Sequence, residues 1–258
     1  MKKFLQLYIY TTLIAIGLLA LWVFITNFTE LLNPIIFPSP EIVALAFIEA
    51  ITELFQGFLS SMGLLIPAFA LSLILGIGGG LYFGMNQRIR EILSPFFQTF
   101  SPLPPTLFIP YAIALLPTFE LASIFILFIA TFWPIFLGTI EGVLLIDQHY
   151  WDNAKTLRLK GKDLILKMVL PASSPLILSG TGMSLGLSFI VLMMAEMFGA
   201  NSGMGHFVQY YTDFTQYDFV LAGLIFNSIV ILLIMVIYEK IKKRVLFWTN
   251  LKKTGSSI

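Results

Sequence analysis

Residues 121–146 read LASIFILFIATFWPIFLGTIEGVLLI, residues 147–170 read DQHYWDNAKTLRLKGKDLILKMVL, and after Pro171 residues 172–198 read ASSPLILSGTGMSLGLSFIVLMMAEMF. Two apolar runs thus enclose a loop with five bases, Lys155, Arg158, Lys160, Lys162 and Lys167. A hydrocarbon core about 30 Å thick takes roughly 20 apolar residues per helix. Each run meets that length. The stretch predicts two transmembrane helices joined by a connection that stays in water.

The rest of the chain has the same character. Of 258 residues, 58% are hydrophobic and 11% charged, and the mean hydropathy is +0.91. A soluble domain has about 45–50% apolar and about 25% charged residues. The ordinary soluble classes and intrinsic disorder are therefore excluded. The formal net charge of +1 gives no general attraction for nucleic acid. With no cysteine, disulfide scaffolds, thiolate metal sites, iron–sulfur clusters and cysteine nucleophiles are excluded as well.

Six apolar stretches predict six transmembrane helices, at about 7–28, 58–85, 106–116, 121–146, 172–198 and 219–237. All 15 bases fall in four clusters: Lys2 and Lys3; Arg88 and Arg90; the five of the 147–170 loop; and Lys240, Lys242, Lys243, Arg244, Lys252 and Lys253. The remaining loops carry Glu30, Glu41, Glu49, Glu53, Glu120, Asp213 and Asp218 and no base. Cytoplasmic loops collect Lys and Arg. Six spans put every basic cluster on one side, with both termini cytoplasmic, whereas five would split them. Charge therefore argues for the short, proline-interrupted third span. The sequence predicts an all-α polytopic membrane protein of one domain, residues 1–258. Its first helix is too long for the core of a cleaved signal and lacks a small-x-small cleavage site.

Ser39-Pro40-Glu41 supplies an N-cap, a proline at the first helical position and an acid in the first turn. It predicts an amphipathic helix at the outer surface before the second span. The tail 252–258 reads as frayed. Gly76, Gly80 and Gly84 recur at every fourth position and predict close helix packing, as do Gly182 and Gly186. Gly182-Met183-Ser184-Leu185-Gly186 also matches the nucleophile elbow, but that motif needs a strand–turn–helix setting and a nearby His. His149 and His206 fall on opposite sides of the predicted membrane, so no metal site is expected. Near Gly161-Lys162, Thr156 and Asp163 stand where a P-loop needs Gly and Ser or Thr. Neither catalysis, nor a bound cofactor, nor ATP hydrolysis is predicted for this chain.

Two acids fall within the spans, Glu141 and Glu196. Intramembrane acids mark ion or substrate paths. Glu141, about one and a half turns from the cytoplasmic loop, reads as a snorkelling or locally paired acid. Glu196, with no base close in sequence, reads either as an acid held in an interhelical hydrogen bond or as a gate, together with Met197 and Gly199. A self-sufficient secondary transporter or channel using Glu196 or Glu141 is the rival reading. Pro102, Pro104, Pro105, Pro110 and Pro117 break the third region, as in helices that line substrate paths.

In the 147–170 loop, Trp151, Ala154 and Leu157 recur every third residue and predict a short helix with one uncharged face for a soluble cytoplasmic partner. Asp152-Asn153-Ala154, with Leu170-Pro171, resembles the E-A-A loop of ATP-binding-cassette importer permeases. That motif runs E-A-A, three residues, G, nine residues, then I-x-L-P. Ala154, Leu170 and Pro171 match; Asp152, Asn153, Arg158 and Met168 replace Glu, Ala, Gly and Ile. Phe37-Pro38-Ser39-Pro40, Pro102-Leu103-Pro104-Pro105, and Ala195-Glu196-Met197-Phe198-Gly199-Ala200 with Gly203-Met204-Gly205 resemble segments of the nitrate/sulfonate/taurine/bicarbonate group.

The resemblance implies a type I importer-permease (MetI-like) fold in a bacterial cytoplasmic (inner) membrane. It implies a pair of permease subunits, a homodimer or a pairing with a second permease, two ATPase subunits docked at the loop, and a substrate-binding protein that delivers a small solute outside. Nitrate, sulfonate, taurine, bicarbonate and pyrimidine precursors all stay open as cargo. Docking falls to Trp151, Asp152, Ala154, Leu157 and Arg158; Leu170 and Pro171 join the loop to the fifth span. Gly161 stands in for the missing glycine at the turn.

Overall fold

The computed structural model describes residues 2–29 and 33–248, with backbone only at 2–9, 11, 12 and 15. Glu30, Lys252, Lys253 and the tail 252–258 lie outside the described residues, as do the side chains of Lys2 and Lys3. Within them the chain is helical throughout: α1 (Lys2–Phe28), α2 (Pro40–Glu49), α3 (Ile51–Met85), α4 (Gln87–Phe100) and α5 (Ile109–Leu115, entered through a 3-10 turn at Pro105–Phe108). Then follow α6 (Phe119–Leu144), α7 (Gln148–Thr156), α8 (Gly161–Leu164), α9 (Leu170–Gly199), α10 (Met204–Asp213) and α11 (Tyr217–Val245). Four of these stretches are long and apolar enough to cross a membrane: Ile51–Met85, Phe119–Leu144, Gly161–Gly199 and Tyr217–Val245.

Glycine draws three helices together. Cβ atoms placed on Gly76, Gly80 and Gly84 of α3 would stand 2.9, 2.5 and 2.8 Å from Ile135, Thr139 and Val143 of α6. On the neighbouring side of α6, Gly138 lies against Gly180 of α9, whose own Cβ would strike the Pro134 carbonyl. Lipid tails give apolar helices no reason to associate, so close backbone approach and polar links have to hold the bundle. The polar link is a buried layer: Ser72 and Thr131 share a hydrogen bond of 2.6 Å, and Ser184 donates to the Thr131 carbonyl at 2.8 Å. Ser184, the serine of the apparent nucleophile elbow, is thus fully buried and committed to helix packing. Gly182 faces the Tyr238 ring of α11, while Gly186 has nothing within 4 Å of where a Cβ would sit.

The expected surface helix forms, with Ser39 in the N-cap position and Pro40 leading it, although the hydroxyl makes no capping bond. Val43 and Ala46 are buried against Ala222 of α11 and Trp22 of α1, so the helix packs on protein.

The third region differs most from its reading as a span at 106–116. Residues 87–100, expected as loop, form α4. Arg90 donates to the Gly84 carbonyl at 2.6 Å, at the end of α3 that lies towards α7. Phe97 packs on Phe83 and Phe136, with centroids 5.5 and 5.0 Å away. Ile113 reaches Gly199 at the opposite end. Helices α4 and α5 thus follow one path from the α7 end of α3 towards Gly199, broken at Ser101–Pro104. Prolines at 102, 104 and 105 remove amide donors and hold the chain extended there.

Between α8 and α9, Ile165–Val169 form a π turn in which Leu170 N–H bonds the Ile165 carbonyl. Pro171 explains its place. A proline ring inside an α-helix clashes with the carbonyl four residues back, and widening the turn relieves that clash.

Candidate functional site

The break in the third path leaves space beside α6 and α9. A cavity of about 510 Å³ is lined by Ser101–Pro105 from the break, by Trp133, Pro134, Leu137, Gly138 and Glu141 from α6, and by Leu176, Ser179, Gly180, Met183 and Leu187 from α9. The close α6–α9 crossing at Gly138 and Gly180 forms its floor. Glu141 is exposed to it, and its carboxylate has no hydrogen-bond or ion-pair partner among the described residues. Sequence reasoning missed this site because its walls come from three segments far apart in the chain. The prolines at 102–105 were the available signal.

Glu196 occupies the opposite setting. It is 1% exposed and accepts hydrogen bonds from Ser61 Oγ at 2.5 Å and from the Gly205 amide at 2.7 Å. Ser61 in turn accepts from the Met204 amide at 2.9 Å. These amides belong to the first turn of α10, where helix N–H groups lack intrahelical partners and the dipole favours negative charge. Gly203, with φ of +140°, turns the chain into α10 directly over the carboxylate; a Cβ there would meet Glu196 at 2.5 Å. Glu196 ties α3, α9 and α10 together and does not line the cavity. Of its suggested companions, Gly199 lies under Phe119 and Ile113, while Met197 is 40% exposed.

The loop helix α7 forms as expected, with Asp147 accepting from the His149 amide at its start. Its uncharged face does not point one way, and this corrects the reading. Ala154 is 3% exposed, buried with Leu81, Val143, Met168 and Val169, and Trp151 packs on the same cluster. Leu157 is 70% exposed. A three-residue step falls about 60° short of a full helical turn, so two steps swing a side chain about 120° around the axis. Trp151 and Ala154 anchor the helix to its own chain; Leu157 and Asp152 face outward. Hydrogen bonds from Lys155 and Gln148 hold the Asp152 carboxyl below the usual carboxylate range.

The end of α7 shows what the replaced glycine does. Arg158 N–H bonds the Lys155 carbonyl, and Leu159 N–H bonds the Ala154 carbonyl, each at 3.0 Å. This is a Schellman cap, whose penultimate position is left-handed and usually glycine. Arg158 takes that conformation with φ of +54°. Gly161 is left-handed too, at φ +54°, so the turn uses both positions. Leu170 and Pro171 stand where the π turn passes into α9. His149 on α7 and His206 on α10 are far apart, and the described residues hold no group of side chains suited to a metal.

Residues 72–247 match the sequence pattern of the family described as binding-protein-dependent transport system inner membrane component. A putative ABC transporter permease protein of Methanocaldococcus jannaschii is 29% identical over 232 residues, 86% of this chain and 85% of that one. The bicarbonate transport system permease protein of Synechococcus elongatus is 31% identical over 183 residues, covering 70% of this chain and 66% of its own length. The taurine transport system permease protein of Escherichia coli is 26% identical over 228 residues, 85% of this chain and 82% of its own. Among solved structures, a chain of the MetNI methionine ABC transporter in an inward-facing conformation superposes with a TM-score of 0.66. That match covers 76% of this chain and 98% of the other at 15% identity, and it shows the shared fold.

Proposed function

This chain belongs to the binding-protein-dependent transport inner-membrane component family, and from that premise we propose that it is the permease subunit of an ATP-driven importer in a cytoplasmic membrane. Residues 1–258 act as one transmembrane domain with six crossings: α1, α3, the broken α4–α5 path, α6, α9 and α11. Both termini and the 147–170 loop lie in the cytoplasm, in keeping with the placement of the bases. Two copies pair, and the cavity at the proline break is each copy's share of the solute pathway. Two ATPase subunits dock on the loop, and a binding protein delivers a small solute from outside. The relatives are named for bicarbonate, nitrate, aliphatic sulfonates and taurine, so the family spans several small solutes.

The observation that carries this reading is the construction of α7. Its Ala154 and Trp151 are locked into the α3–α6 and π-turn cluster, while Leu157 and Asp152 face outward. A push on the outer face is thereby transmitted to the helices that wall the cavity. Chemistry belongs to the ATPase partner; this chain conducts.

The test is copurification of the tagged protein in mild detergent. An ATP-binding subunit is expected in stoichiometric amount, and Leu157→Asp is expected to lose it with the thermal midpoint unchanged. Ala154→Asp places a charge inside the chain's own core, so it is expected to lower the midpoint as well. A homo-oligomer with no nucleotide-binding partner would overturn the importer reading.

A further inference from the structure

The charge complement of the cavity narrows what can pass, an inference that rests on reading the cavity as the pathway. Glu141 is the only ionisable side chain among its described lining residues. No Lys or Arg faces it there, and nothing among the described residues neutralises it. Trp133 adds an aromatic wall of the kind that attracts cations, and Ser101 and Ser179 add two hydroxyls. We propose that Glu141 is a specificity-determining residue: it turns anions away from the cavity and favours small solutes that present a positively charged or hydrogen-bond-donating nitrogen, such as amines and amino-substituted heterocycles. A carboxylate accepts hydrogen bonds and donates none. At about 6 Å and an effective dielectric of about 20, it disfavours a univalent anion by roughly a hundredfold and favours a cation by a similar factor. The cargo class then differs from the inorganic anions for which the bicarbonate and nitrate relatives are named.

The absence of cysteine makes this directly measurable. Ser179→Cys places a single thiol on the cavity wall of the full chain, with Glu141 unchanged. In lipid nanodiscs its reaction rates with a cationic, an anionic and a neutral thiosulfonate are compared with those of free cysteine in the same buffer. The cation-to-anion ratio is expected to exceed that of free cysteine by about tenfold or more, and to return to it when Glu141→Gln is added. A thiol that reacts readily but with the ratio of free cysteine would leave the pathway reading standing and overturn the selectivity. A thiol that reacts with none of the three reagents would show that water does not reach the cavity, and would overturn both.

Discussion

Glu196 of α9 and Glu141 of α6 are acids set in long apolar helices, and the fold treats them as opposites. Glu196 is enclosed, accepts from Ser61 and Gly205, and anchors a helix start. Glu141, on the wall of a cavity of about 510 Å³, has no partner among the described residues. A buried carboxylate persists only where donors converge on it, and an open one only where water or a ligand reaches it. The comparison teaches that an acid within a span is read by its neighbours. Sequence position left Glu196 between an interhelical hydrogen bond and a gate, and made Glu141 a snorkelling or locally paired acid; in the structure Glu196 takes up the interhelical bond and Glu141 faces the cavity.

The sharpest way to break this contrast is to truncate each acid. Glu196→Ala strips two donors of their acceptor and is expected to destabilise the protein by about 2–4 kcal/mol. Glu141→Ala is expected to stay within about 0.5 kcal/mol. Thermal unfolding in detergent checks both, and equal losses would erase the distinction.

A second substitution sharpens the picture of the cavity floor. Gly180→Ala drives a methyl into the Pro134 carbonyl, which is backbone and cannot rotate away, and an expected loss of about 2 kcal/mol follows. Gly186→Ala, further along the same helix and facing open space, is expected to stabilise by about 0.5–1 kcal/mol, since alanine loses less chain freedom in a helix. A further effect belongs to the loop. Arg158→Gly removes a left-handed side chain and is expected to stabilise the α7 cap by about 1 kcal/mol, net of glycine's greater freedom in the unfolded chain. Slower amide exchange at Leu159 would register it.

Much of this architecture is legible in the residues. The Gly76, Gly80 and Gly84 period states a close helix contact, and the partner positions on α6 were the only part left unsaid. Ser39-Pro40 starts a helix, although nothing local indicates that Val43 and Ala46 meet α11. Helix α4 escaped because Arg88, Arg90, Glu91 and Gln98 dilute its hydropathy; the repeat of Ile92, Phe96 and Phe100 at every fourth residue was the signal present. The cavity escaped for a different reason. It is made by distance in sequence becoming proximity in space, and no window along the chain contains it. The direction of Ala154 failed for a third: a three-residue repeat drifts around the helix axis, so three such residues do not share a face.

The π turn at Ile165–Val169 has a rotational consequence. One residue more than an α turn is stored there, so the stretch from α7 to α8 is phased about 100° away from a straight extension of α9 and offset by about 1.5 Å along it. Moving that extra residue one position along the helix would hand the same twist from one end of the wide turn to the other without unwinding either flank. The joint between loop and helix thus fixes the direction in which α7 leaves α9, so the length of this one turn sets which face of the loop helix meets the bundle.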